Sequence, residues 1–91
     1  MTAIVDGQQH VLGIYTDGDL RRTLEKRLDF TTTPISDVMS KHPRTIAAHA
    51  LAVEAVQFMD QNSISQMLVV DKDNKLVGAL NMHDLLHAKV I

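Results

Sequence analysis

A gapless internal repeat governs what this chain can fold into. Ile4-Val5-Asp6 falls on Val69-Val70-Asp71, Gly13 on Gly78, Asp19 on Asp84 and Leu20 on Leu85, every pair 65 residues apart. Such an offset means that one run of strand, four-residue turn, strand and helix is made twice. The first copy closes on GIYTDGDLRR, Gly13 to Arg22, and the second on GALNMHDLLH, Gly78 to His87.

The residues around these anchors give the elements. Ala3–Asp6 and Val11–Thr16 are short β-type runs about a turn at 7–10, which predicts a hairpin. From Asp17 the pattern is helical, with Leu20, Leu24 and Leu28 on one face and Arg21, Arg22, Glu25 and Lys26 outside. Residues 29–33 are a polar linker. Thr33-Pro34 predicts a helix start, threonine as N-cap and proline at the first helical position, with Ile35, Val38 and Met39 pointing one way. Ser40–Arg44 is expected to be loop, because Pro43 forces its predecessor out of helix. Thr45-Ile46 is a very short strand.

Leu51–Asn62 is the clearest helix: Leu51, Ala55, Phe58 and Met59 form its apolar stripe, and Glu54, Gln57, Asp60 and Gln61 its wet face. Met67–Asp71 is a buried strand, 72–75 a turn, Leu76–Met82 a strand and His83–Lys89 the last helix. The second copy thus has a strand and helix in front of it that the first lacks. The expected division is 1–28 for the back half of one unit, 29–42 for a linker with a short helix, and 43–91 for one complete unit.

Bulk properties limit the function classes. Ninety-one residues with 45% apolar content make one small domain, which favours a dimer or a piece of something larger. A net charge of −2 supplies no basic field for nucleic acid. The three scattered rings, Tyr15, Phe30 and Phe58, make no stacking platform for single strands. Without cysteine there is neither a disulfide framework nor a thiolate metal site. No apolar run approaches the roughly 20 residues of a membrane helix, the N-terminus does not read as a signal peptide, and a cytoplasmic setting fits.

The repeated closing segment has two compatible readings. Thr16-x-x-Asp19 on the first turn of a helix after a strand suits an anion, because outward N–H groups there carry partial positive charge. A threonine hydroxyl can donate to phosphate, and an aspartate one turn on can accept from a ribose diol. Arg21 and Arg22 add charge for phosphate or a sugar acid. The same spacing is also a capping box, which needs no ligand, and Asn81-x-x-Asp84 repeats it. HDLLH, His83 to His87, places two histidines at i, i+4 as zinc sites do. Asp84 stands where that pattern has glutamate and no third ligand is evident, so a helix-start and a surface histidine are the plainer reading.

Strand–helix–strand–strand–helix closed by Gly-h-h-Thr/Ser-x-x-Asp resembles the CBS domain, the module named after cystathionine β-synthase. GIYTDGDLRR, followed by Asp37-Val38-Met39 and then by NMHDLLHAKVI at the C-terminal end, is similar to the tail of arabinose 5-phosphate isomerases, the sugar-isomerase family of the Kdo (lipopolysaccharide) pathway. The resemblance implies an α/β (α+β) CBS-domain pair of β-α-β-β-α repeats, one complete and one represented by its back half. The chemistry would belong to a sugar-isomerase domain of the parent chain, ahead of this stretch. Met1-Thr2 looks like the inside of the family's second strand, so an expressed or processed fragment, or a misplaced start, is expected.

By the same resemblance the chain is a regulatory module, not a catalyst, with no catalytic residue, cofactor or metal. Its effector would be CMP-Kdo or an adenine nucleotide, AMP or ATP. Thr16 and Asp19 would meet phosphate and ribose in one cleft, with Arg21 and Arg22 beside them. Asp84 would meet ribose in the other, next to Asn81, which departs from the usual Thr/Ser. Thr45 and Ile46 would cradle a base through backbone groups. The pair is expected to close about a pseudo-twofold axis and to form a homodimer through its helices. The rival reading is a structural oligomerisation module with degenerate pockets.

Overall fold

A computed structural model describes residues 1–87. Strands β1 (Thr2–Val5) and β2 (Val11–Tyr15) form an antiparallel hairpin that leads into helix α1 (Asp17–Glu25). A 3₁₀ turn at Ile35–Asp37 precedes strand β3 (Ser40–Lys41). The rest is strand β4 (Thr45–Ala47), helix α2 (Ala52–Gln61), strands β5 (Gln66–Val70) and β6 (Leu76–Asn81) and helix α3 (Met82–His87). Two three-stranded sheets result, β1-β2-β3 and β4-β5-β6, with β4 parallel to β5 and the hairpins antiparallel.

The repeat extends to single hydrogen bonds. In the first turn Asp6 N–H donates to His10 O, Gln9 N–H to Asp6 O, and the N–H groups of Gln8 and His10 to Asp6 Oδ1. In the second, Asp71 N–H donates to Lys75 O, Asn74 N–H to Asp71 O, and the N–H groups of Asp73 and Lys75 to Asp71 Oδ1. The left-handed residues also correspond, Gln9 at φ 72° and Asn74 at φ 63°. So do the register shifts, between Ile4 and Val5 and between Val69 and Val70.

The two turns then join each other. Val11 N–H donates to Asn74 O at 3.1 Å and Leu76 N–H to Gln9 O at 2.9 Å, about a bridge between His10 and Lys75. Each bond maps onto the other under exchange of the two copies, which is a twofold contact within one chain. Behind it, Val11, Leu68 and Val70 are buried between the hairpins, with Ala3, Val5, Ile14 and Leu76 packed on them. A second cluster, Ala55, Val56, Met59, Met67 and Leu85, lies inside the complete unit, where α2 and α3 cover β5. Met59 and Met67 are its fully enclosed side chains, the gap-filling role expected of methionine.

Four expectations change. Ser40–Lys41 is strand rather than loop, because it pairs with Gly13 and Ile14 of β2. Thr33-Pro34 starts only a 3₁₀ turn, Pro34 is its cap residue, and no side chain caps it. On α1, Leu20 and Leu24 are exposed and the buried pair is Asp19 and Thr23, because the polar face is the one turned toward β2 and β3. Leu51 stands outside α2 and is 65% exposed, and Val56 takes a place in the core that the stripe did not include. The last helix is described as far as His87, and the expected remainder to Lys89 lies outside the described residues.

The close pairing of β2 with β3 makes the two repeated glycines unequal. A Cβ on Gly13 would sit 2.6 Å from the Ser40 carbonyl oxygen and 2.9 Å from Met39 Sδ, whereas one on Gly78 would meet only Val69 Cβ at 3.9 Å. We expect Gly13→Ala to destabilise the chain by about 1–3 kcal/mol through overpacking. Gly78→Ala should be neutral or raise stability by up to about 1 kcal/mol through the unfolded state. Urea melts of the two variants check the difference, and equal midpoints would contradict it.

Candidate functional site

Helix α1 begins with a closed capping box. Thr16 Oγ1 accepts from Asp19 N–H at 3.2 Å, and Asp19 Oδ2 accepts from Thr16 N–H at 2.8 Å and from the Thr16 hydroxyl at 3.0 Å. Asp19 Oδ1 accepts from Arg22 Nη2 at 2.5 Å and from the Ser40 hydroxyl at 2.7 Å. The Tyr15 hydroxyl bonds Thr23 Oγ1, which donates to Asp19 O. Asp19 is 3% exposed, and both carboxylate oxygens carry two donors. A carboxylate has about four acceptor positions, so the ribose contact expected of Asp19 has no free position here. Thr16 likewise directs its hydroxyl proton to Asp19 rather than outward.

Electrostatics agree with this arrangement. Burial pushes the Asp19 carboxyl up, but the donors from Ser40, Thr16 N–H, Arg22 and the Thr16 hydroxyl outweigh it and hold the group at about 2. Arg22 is thereby engaged in an ion pair, while Arg21 is exposed on the outer face.

Beside this helix start runs a groove. Two adjoining hollows, of about 400 and 240 Å³, share Met1, Ile14, Ile64 and Gln66 as their floor. Thr16, Asp17 and Gly18 stand at one end, and Lys41, His42 and Arg44 at the other. Among the described residues the N–H groups of Asp17 and Gly18 have no acceptor, as befits the first two positions of a helix. Arg44 is steadied by the Phe58 ring, 6.0 Å from its centroid, and by donation to Asn62 Oδ1. Sequence reasoning missed Arg44 and the Ser63–Gln66 wall. Their only signal was position, since the groove joins loops far apart in sequence.

The second copy is not equivalent. Asn81 Oδ1 accepts from Asp84 N–H at 2.8 Å, but the return bond that closes the box at Thr16 is absent among the described residues, and Asp84 is exposed. Ile46 lines a separate hollow of about 200 Å³ with Ala47, Leu51 and Leu85, and neither Asn81 nor Asp84 borders it. Thr45 lies on β4, paired with Leu68. The structure therefore does not bring Thr45 and Ile46 together with Asn81 and Asp84 in one cavity. His83 and His87 stack at 5.7 Å, and no cluster of three or more His, Cys, Asp or Glu suited to a metal occurs among the described residues. No helix among them is long and apolar enough to cross a membrane.

Two units related by a twofold contact, each closing on a helix with a side-chain cap, define a known class. Residues 35–91 match the family described as the CBS domain, and the chain belongs to that family. It is 47% identical over all 91 residues to the arabinose 5-phosphate isomerase KdsD of Pseudomonas aeruginosa, and 37% identical over 91 residues to the arabinose 5-phosphate isomerase GutQ of Shigella flexneri. In both cases it spans 28% of the relative's length. Among solved structures it is similar to the CBS domain protein PAE2072 of Pyrobaculum aerophilum complexed with AMP, at a TM-score of 0.78 and 25% identity, covering 91% of this chain and 63% of that one. The expected mixed α/β architecture of a CBS pair is what these similarities and the two sheets show.

The saturated carboxylate sets an acid limit. Its folded value lies below the ordinary 3.8, so it stabilises the fold fully above that pH and loses its contribution as pH falls toward 2. We expect Asp19→Asn to cost about 1.5–3 kcal/mol at neutral pH, the range for hydrogen bonds to a charged group. The difference from wild type should shrink between pH 4 and pH 2. Denaturant melts across that range check it, and a difference independent of pH would contradict the role given to the carboxylate.

Proposed function

We propose that this chain is the regulatory, ligand-sensing module of an arabinose 5-phosphate isomerase, and that its effector binds in the groove beside α1. The carrying observation is the groove's composition: free helix N–H groups at one end, an apolar floor of Met1, Ile14, Ile64 and Leu68, and cationic Lys41 and Arg44 at the other. A phosphate suits the helix start, a flat base the apolar floor, and a second anionic group suits Arg44. Nucleotides have the first two. CMP-Kdo adds a carboxylate, and AMP or ATP remains the adenine alternative, supported by the AMP complex of the Pyrobaculum protein. On this reading Thr16 and Asp19 shape the helix start, and Arg21 and Arg22 add to its positive field.

The effector would act on a catalytic aldose–ketose isomerase domain of the parent chain, in the cytoplasm, in the making of lipopolysaccharide. The units 1–28 and 43–91, joined by 29–42, would be the two halves of the pair. Asn81 and Asp84 would offer a second, weaker site, since their capping box is open, and Thr45 and Ile46, which share no cavity with them, would meet a base from their own side. Two copies of the chain would pair through their helices. The rival is a structural oligomerisation module, and one observation favours it: Thr16 and Asp19 are committed to each other.

Titration calorimetry with AMP, ATP and CMP-Kdo tests the proposal. We expect at least one to bind one-to-one and to raise the melting temperature by mass action. Arg44→Ala should weaken that ligand by about tenfold, the loss of roughly 1.4 kcal/mol, with little change in stability. No binding by any of the three would leave the structural module as the better reading.

A further inference from the structure

We propose that Lys41, His42 and Arg44 form a second anion subsite at the far end of the groove, and that protonation of His42 makes effector affinity rise as pH falls. This rests on the groove reading above and adds its regulation. The effector carries an anionic group at each end, one for the helix start and one for this subsite. All three side chains are exposed and border the hollow of about 240 Å³.

The backbone explains why they gather. An extended strand sends successive side chains to opposite faces. Here His42 is left-handed, at φ 55°, so the chain curls as it leaves β3, and Ser40 to Arg44 all border one hollow. Histidine takes this conformation more readily than most residues, though it is uncommon for any side chain. It is held from both sides. Before it, Ser40 is bonded to Asp19 and Lys41 is paired with Gly13. After it, Arg44 is fixed by Phe58 and Asn62, and Thr45 is paired with Leu68 on β5. A subsite pinned in this way is preorganised for its ligand.

Its charges are of one sign. β2 and β5 contribute Ile14, Gln66 and Leu68 to the hollow, none of them charged, and Met1 carries the terminal amine. Asp17 belongs to the adjoining hollow, at the opposite end of the groove. Among the described residues no ion pair engages Lys41, His42 or Arg44; the pairs formed are His10–Asp6 and Arg22–Asp19. Cations gathered in a cleft without a countercharge draw an anion. A seated carboxylate or phosphate favours the charged imidazolium, and by linkage a charged His42 favours the anion equally. Histidine changes charge between about pH 5 and 8, so affinity is greater at the acid end of that window.

Calorimetric titration with CMP-Kdo tests this, because its phosphodiester and carboxylate stay charged throughout the window. We expect binding about fivefold tighter at about pH 5.5 than at about pH 8, the lower end of the range for coupled sites. His42→Asn, which suits the left-handed backbone, should cut that ratio to less than about twofold. His42→Lys, charged at both values, should keep the tight affinity at the alkaline end. A wild type without pH dependence, or a dependence that survives His42→Asn, overturns the role of His42 and leaves the groove reading standing. Binding of AMP or ATP without binding of CMP-Kdo overturns the second subsite alone. Failure of all three ligands overturns the groove itself.

Discussion

Two backbone hydrogen bonds, Val11 to Asn74 and Leu76 to Gln9, hold the halves of this chain in register. They can form only if both turns have the same shape, since each turn supplies one donor strand and one acceptor carbonyl. That shape depends on an aspartate just before each turn, whose carboxylate gathers two N–H groups and lets Gln9 or Asn74 adopt a left-handed conformation. Asparagine tolerates that conformation better than glutamine, so Asn74 is the easier of the two and Gln9 the more strained. Because the contact is reciprocal, an error in one turn removes both bonds, and with them the alignment that buries Val11, Leu68 and Val70.

The twofold relation stops at the helices, and the asymmetry follows from what lies beside them. β3 runs alongside the first copy, close enough to require Gly13 and to present Ser40 to Asp19. Its hydroxyl and the Arg22 guanidinium complete a carboxylate that, in the second copy, remains exposed. One motif therefore becomes a buried keystone at Asp19 and an open acid at Asp84. The groove lies on the side with the keystone, where a rigid helix start keeps two N–H groups fixed toward it. Preorganised donors are the more effective kind for holding an anion, since less ordering is left for the ligand to bring about.

Much of the fold was legible because its signals are local. A turn aspartate, a β-branched run and a 3.6-residue stripe each act within a few positions, and the 65-residue offset made the two hairpins confirm one another. What was not legible depends on distant partners. Ser40 is 21 residues from Asp19, and nothing around it marks a strand. The face of α1 was misread because its leucines form a regular stripe, whereas the buried side is decided by the hydrogen bonds of Asp19 and Thr23. Arg44 reached the groove through the Phe58 ring on α2 and the Asn62 amide just past it, 14 and 18 residues away, and no spacing rule connects them.

The helix ends carry the same lesson into energetics. Arg27 and Ser63 occupy left-handed positions just past α1 and α2, at φ 56° and 53°. Leu28 N–H to Thr23 O and Ile64 N–H to Met59 O close the helices there in the Schellman pattern. Glycine is the usual residue at such a position, and an ordinary side chain costs about 1 kcal/mol. The chain accepts that cost at both ends. Ser63 lies on the groove wall beside Ile64 and Gln66, so a glycine there would relax the backbone and also remove a hydroxyl from that wall. At Arg27 the exposed side chain adds a cation just past α1, which glycine would remove. The two strained residues thus sit at the margins of two surfaces that face outward, while the turns and cores that hold the halves together use residues suited to their conformations, Gln9 excepted.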